Sequence, residues 1–424
     1  MAKFDHDFLL GAATAAHQVE GNNTECDFWT LEQMKHTDYA EPSLNACDHY
    51  HRYAKDIRLL AKAGLNAYRF SVEWARIEPE EGIWNEDALN HYSNVVDCCL
   101  ENGVEPIVTL HHFSSPRWLI CKGGWEAEST VTGFARYASH VTEQLGDRLH
   151  YICTINEANM GVQMASIVQR YLMKMHGVDS KVQVGVNLDR MMAGSPEAAA
   201  EKEALFGTSA PKTFLTPRSE NGDSIVMRAH RAARAAIRQI RPDIKVGLTL
   251  SLHDIQSQLG GEVNAAEEWD REFLHYLPCI KEDDFLGVQN YTRMQIGASG
   301  QFPVPEDAEL TQMGYEFYPE ALENVIRKVS KEYHGDILVT ENGIATANDA
   351  RRIAFISRAT DGVVNCIRDG LPVRAYLYWS LLDNFEWQKG YSMTFGLISV
   401  NRETQERTPK DSLRFLGAMR QQTT

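Results

Sequence analysis

The sequence predicts an α/β fold, a single (β/α)8 TIM barrel, on three observations. Short β-rich runs alternate with longer runs of helical period, there are eight such units, and no linker rich in Pro, Gly or Ser divides the chain. A length of 424 residues alone would suggest two or three domains, but α/β barrels commonly reach this size as one. The whole of 1–424 is therefore read as one domain. Periodicity alone leaves a doubly wound open sheet as the alternative.

Taken in order, FLLGAATAA from Phe8 is the first strand, LNAYRFSV from Leu65 the second, VEPIVTL from Val104 the third and LHYICTIN from Leu149 the fourth. IKVGLTL from Ile244, DFLGVQN from Asp284, DILVTEN from Asp336 and VRAYLYWS from Val373 complete the set. Between them lie helical patterns such as HYHRYAKDIRLLAKAG, EDALNHYSNVVDCCLENG, DSIVMRAHRAARAAIRQIRP and YPEALENVIRKVSKEY, several closing on Gly or Pro. The irregular part is Gly161 to Asn221, with Met-rich pieces and the stretch GSPEAAAEKEALFG. It predicts a long insertion after strand four that carries some helix of its own, and long loops in compact domains are usually functional or mobile.

Apolar content of 43% and charged content of 24% are ordinary globular values, so a large core is available. The 42 basic residues against 58 acidic give a formal charge of −16, with no Lys/Arg stripe, which argues against nucleic acid and anionic membranes as partners. The N-terminal apolar run follows Asp5 and Asp7 and is shorter than the roughly 20 residues of a membrane span, so neither a signal peptide nor a transmembrane helix is expected. The eight cysteines are scattered, several in apolar patterns, and are expected to be buried reduced thiols of a cytoplasmic protein.

Active sites of such barrels lie at the C-terminal ends of the strands. Glu157 ends strand four in TINE, and Glu341 ends strand seven in VTENG. One Glu at a strand end is usually a solvated loop residue or a helix N-terminal acid. These two are joined by His111 and His112 after strand three, Tyr291 after strand six, and Trp379, Glu386 and Trp387 after strand eight. Packing alone does not explain that convergence. Paired carboxylates are what glycosidic bond cleavage requires: one protonates the leaving oxygen while the other attacks the anomeric carbon or activates water. Aromatic faces suit sugar rings.

With these residues in view, the sequence resembles the retaining β-glycosidases of glycoside hydrolase family 1. The likeness is carried by FLLGAATAAHQVEG, YRFSVEW, LHHF, TINEA, VTENG, YWSLLDNFEWQKGY and RTPKDS, in the family's order, and covers most of the chain outside Gly161 to Asn221. It implies a catalytic (β/α)8 barrel with no metal and no organic cofactor, acting on a small-molecule β-glycoside or short oligosaccharide. By the same match Glu157 is the general acid/base and Glu341 the nucleophile that forms a covalent glycosyl-enzyme, with carboxyls about 5 to 5.5 Å apart. Arg69 is expected beside the nucleophile, and Tyr291 to hydrogen-bond it. Gln18, His112, Asn156, Glu386 and Trp387 are expected to contact hydroxyls of the cleaved sugar, with Trp379 as its floor. His111, Phe113 and Gln289 are expected to support these rather than touch the sugar.

Three departures from the family pattern stand out. Ala158 replaces the usual Pro after the acid/base, Phe113 the usual Trp after the subsite histidine, and GYSMTFG lacks the basic residue usual before FG. The expected activity is that of a retaining exo-β-glycosidase on β-glucosides, with β-galactosides and β-fucosides next. Two alternatives are a 6-phospho-β-glycosidase and an inactive carbohydrate-binding barrel. In the first, Glu386 would repel the phosphate and no Ser-and-Lys set is evident to hold it, although Lys389 is near; the second has no need of Glu157, Glu341 and Arg69 together. Metal-dependent hydrolysis through His49/His51 or His111/His112 is disfavoured, because adjacent residues of a strand point to opposite faces and the first pair has no carboxylate array at ligand spacing.

Overall fold

The computed structural model describes residues 3–175 and 194–421. All eight expected strands form: β1 (Leu9–Ala13), β2 (Ala67–Ser71), β3 (Glu105–His111), β4 (Tyr151–Ile155), β5 (Lys245–Ser251), β6 (Phe285–Gln289), β7 (Asp336–Asn342) and β8 (Val373–Trp379). They close in the order β1-β8-β7-β6-β5-β4-β3-β2, every neighbouring pair parallel. Because the ring runs in sequence order and closes β8 on β1, the open doubly wound sheet is excluded.

The two-residue period of the strands sorts their side chains into two cores. On β8, Ala375, Leu377 and Trp379 point into the barrel, while Tyr376 and Tyr378 pack outward. On β2, Ala67 is inside and Tyr68 and Phe70 outside, so Arg69 is forced into the barrel with Ala67. Around the sheet lie α1 (His49–Lys62), α2 (Glu86–Glu101) and α3 (Ser129–Leu145), which fill the outer core with apolar stripes such as Phe134, Tyr137, Ala138 and Val141.

The segment after β4 does carry helix. α4 (Met160–Met175) starts three residues beyond Glu157, and α5 (Pro196–Phe206) follows, capped by the Ser195 side chain with Pro at its first turn and Gly207 in the left-handed conformation at its end. Residues 176–193 of the expected insertion lie outside the described residues. α6 (Glu220–Ile240) returns the chain to the barrel. A small sheet absent from the sequence reading, Asp254–Ser257, Arg293–Gly297 and Gly300–Gln301, grows from the loops that follow β5 and β6.

β7 contains the irregularity that matters most. Its pairing with β6 slips between Val339 and Glu341, so that Thr340 and Glu341 together oppose Gln289. Strict alternation from Leu338, which points inward, would place Thr340 inside and Glu341 outside. The bulge turns both to the inside.

Close strand approach makes Gly11 of β1 irreplaceable. A Cβ there would stand 1.8 Å from the carbonyl oxygen of Ala67 on β2, which backbone cannot relieve. Gly11→Ala is expected to lower unfolding free energy by about 3 kcal/mol or more, read as a shift in urea midpoint.

Candidate active site

Glu157 leaves the end of β4 with φ of +43°, a left-handed conformation that costs a non-glycine residue on the order of 1 kcal/mol. Thr249 of β5 holds it there. The Glu157 N–H donates to Thr249 Oγ1 at 2.9 Å, and the Ala158 N–H donates to the Thr249 carbonyl at 3.0 Å. A Pro at 158 has no N–H to give, so the departure from the family pattern acquires a physical role.

Glu341 is gripped on both carboxylate oxygens. Arg69 Nη1 donates to Oε1 at 2.7 Å and the Tyr291 hydroxyl to Oε2 at 2.7 Å. Arg69 is fully buried and has no freedom to leave: its Nε donates to Thr109 Oγ1 at 2.9 Å and its Nη2 to Asn156 Oδ1 at 2.6 Å. Asn156 Oδ1 also accepts from Gln289 Nε2 at 2.8 Å and Thr249 Oγ1 at 3.3 Å, which fixes the amide with its NH2 toward His112. Asn156 Nδ2 therefore donates to His112 Nε2, 3.2 Å away, and the imidazole proton must sit on Nδ1. Burial, with Arg69 and His111 nearby, holds His112 well below the usual histidine range, hence neutral. Its Nδ1–H has no partner among the described residues, and neither has the buried Gln18 Oε1. They supply one donor and one acceptor.

The carboxyls differ in proton affinity. Burial pushes Glu157 well above the usual carboxylate range, the Glu341 charge pushes it further, and Arg69 and Ser251 only partly oppose this. Burial also lifts Glu341, but Arg69 and the Tyr291 hydroxyl pull it back, so Glu341 is the first of the two to ionise. Glu386 is pushed up to about 8, by burial first and then by Glu341, with Gln18 opposing.

These groups open on one cavity. His112, Asn156, Glu157, Tyr291 and Glu341 line it, together with Trp379, Glu386 and Trp387. Arg69 and Gln18 adjoin these lining residues, Arg69 through Glu341 and Gln18 beside Glu386; Gln18 Nε2 donates to the Phe385 carbonyl at 2.7 Å and lies 3.4 Å from Glu386 Oε2. Gln289 acts through Asn156, and His111 turns away to Ser115 Oγ at 3.0 Å, against Trp125 and Phe214. Phe113, expected to be a supporting residue, lines the cavity instead. His49 and His51 are also separately engaged, by Asp56 and Asp48. Among the described residues no group of three or more His, Cys, Asp or Glu side chains is placed to hold a metal ion, and no helix is long and apolar enough to cross a membrane.

The sequence reading missed the contribution of the segment after Glu157. Arg218 Nη1 donates to the Ala158 carbonyl at 2.7 Å, and Phe214 stacks on Phe113 at 5.7 Å between ring centres. Phe113 in turn packs on Trp387 at 5.2 Å. The Phe113 departure thus belongs to an aromatic run that begins in the supposed insertion. Thr249 was also missed; its only signal was a polar residue near the end of an apolar strand.

A closed parallel barrel with two buried carboxyls of unequal proton affinity at the ends of β4 and β7 has the layout of a glycoside hydrolase. The chain belongs to glycosyl hydrolase family 1, whose profile matches residues 1–424, the divergent segment included. It is 32% identical to the 1,4-beta-D-glucan glucohydrolase of Thermotoga neapolitana over 97% of both chains. It is 30% identical to the beta-glucosidase of an Agrobacterium species, over 99% of this chain and 95% of that one. The crystal structure of the beta-glycosidase BGL167 superposes with a TM-score of 0.87 at 45% identity, covering 98% of this chain and 96% of that one.

Proposed function

We propose that this glycoside hydrolase is a retaining, exo-acting β-glucosidase of the cytoplasm, in which Glu341 is the nucleophile and Glu157 the acid/base. The observation that carries the assignment is the asymmetry of the two carboxyls: Arg69 and Tyr291 each hold one oxygen of Glu341, and the resulting charge keeps the proton on Glu157.

The first step follows. Glu341 attacks the anomeric carbon, the glycosidic bond breaks, and Glu157 gives its proton to the departing oxygen. Once the glycosyl ester forms, the negative charge on Glu341 is gone and the main electrostatic support for the Glu157 proton goes with it. Glu157, now ionised, takes a proton from water as that water attacks the same carbon from the face the leaving group vacated. Two inversions restore the β configuration. His112 Nδ1–H, Gln18 Oε1 and Glu386 are the groups we assign to the hydroxyls of the sugar, and the faces of Trp379 and Trp387 to its ring. β-Galactosides and β-fucosides are the next candidate substrates, since they differ from glucosides only in groups that these residues read.

The names of the relatives support β-glucosides, and Glu386 speaks against a phosphorylated sugar, because the cavity offers a carboxyl where a cation would be needed. The free thiols, seven buried and Cys121 exposed, support a reducing compartment. The test is kcat/KM against pH on p-nitrophenyl β-glucoside. Activity must rise as Glu341 ionises and fall as Glu157 loses its proton, and burial raises both groups, so both limbs should lie above the ordinary Glu value of about 4.3. A flat profile, or hydrolysis of α- but not β-glucosides, would refute the proposal.

A further inference from the structure

We infer that the leaving-group side of the cavity is built for an apolar alcohol or phenol and not for a second sugar; the inference rests on the β-glycosidase reading above. α4 begins just beyond Glu157, the residue that would protonate the leaving oxygen. Met160, Met164 and Ile167 lie at spacings of four and seven along it, on one face, and all three line the cavity. At 1.5 Å per residue, Met164 and Ile167 carry that apolar surface about 6 and about 10 Å along the helix axis from Met160. Leu215, Met294 and Met313 add to the same lining from three other segments.

The polar groups of this outer lining are largely occupied with one another. Arg293 donates to both oxygens of Glu316, at 2.8 and 2.7 Å. His253 Nδ1 pairs with Glu272 at 2.7 Å, Gln163 Nε2 donates to the Ser251 carbonyl at 2.9 Å, and Glu268 pairs with Arg271. Gln301 Oε1 is buried with no partner among the described residues and so offers one acceptor. The aromatic faces suited to a sugar ring are gathered elsewhere, with Trp379 and Trp387 stacked by His112 at 5.6 and 6.2 Å.

A second sugar would bring several hydroxyls against methionine, leucine and isoleucine side chains, losing water without gaining partners. An alkyl, terpenyl or aryl group would instead gain burial, and the unbranched methionine side chains accommodate a range of shapes. The wall therefore selects by apolarity, with the Gln301 acceptor able to meet a hydroxyl.

The experiment compares kcat/KM of the wild type on methyl, octyl and phenyl β-glucoside and on cellobiose. Octyl β-glucoside is expected to exceed both methyl β-glucoside and cellobiose by about tenfold or more. Met164→Gln and Ile167→Asn, made separately, should each reduce the octyl-to-methyl ratio by about threefold or more. Cellobiose cleaved as well as octyl β-glucoside, or an octyl-to-methyl ratio unchanged in both variants, overturns the inference while leaving the β-glucosidase reading intact. Failure to cleave any of the four overturns that reading, and this inference with it.

Discussion

Glu341→Gln is expected to reduce kcat/KM on p-nitrophenyl β-glucoside by on the order of 10⁵-fold, because the covalent path has no substitute for its nucleophile. The amide is nearly isosteric. Its oxygen can still accept from Arg69, and its NH2 can donate to the Tyr291 oxygen, so the partners that hold Glu341 at 2.7 Å on either side keep a match. Far-UV circular dichroism should therefore be unchanged, which separates a chemical loss from an unfolded barrel. The smaller variant Glu341→Gly gives a positive signal. It leaves room beside the anomeric carbon on the face opposite the leaving group, and azide or formate entering there displaces an activated leaving group once only. The product must then have inverted α configuration. A β product, or a residual activity within about a hundredfold of wild type, would mean that another group attacks the anomeric carbon.

Much of this arrangement was legible before any coordinates, and for identifiable reasons. Parallel strands buried on both faces read as short apolar runs, so all eight stand out, and a carboxylate ending such a run is conspicuous. Hence Glu157 and Glu341 could be singled out from the chain. What alternation could not supply is the orientation of Glu341. Leu338 points into the barrel, so a period of two aims Glu341 at the helices, and only the slipped pairing between Val339 and Glu341 corrects it. Nothing in VTENG signals that bulge to a reading based on polarity. The same limit hid Thr249, whose hydroxyl and carbonyl hold the Glu157–Ala158 backbone, since a threonine near a strand end is unremarkable until its partner at the neighbouring strand is known. It also hid Phe214 and Arg218. These lie in a stretch without clear period, yet they reach Phe113 and the Ala158 carbonyl by contacts between residues far apart in sequence. Local patterns report which way a side chain faces relative to its neighbours in the chain, and these residues act on segments far from them in sequence.

Glu157→Gln is expected to make the rate depend steeply on the leaving group. With 2,4-dinitrophenolate, which departs without a proton, kcat/KM should fall by no more than about tenfold, whereas with an alkyl glucoside it should fall by about 10³-fold or more. The reason lies in what kcat/KM measures: it covers only the steps up to formation of the glycosyl-enzyme, where Glu157 serves as acid. In kcat the second role appears. Without a base, water attacks the ester slowly, so 2,4-dinitrophenyl β-glucoside should release a burst of one equivalent of phenolate and then turn over at a much reduced rate. Azide, which needs no deprotonation, should restore that rate in Glu157→Gly by entering from the face where the leaving group stood. It gives a β-glycosyl azide, opposite in configuration to the product expected from Glu341→Gly. The basic limb of the pH profile should vanish as well, because burial and the Glu341 charge act on a proton that the variant no longer carries. Losses equal for every leaving group would remove Glu157 from the acid role. Beside the nucleophile Glu341, the cavity wall carries Glu386, which burial pushes up to about 8, and it would become the residue to replace next.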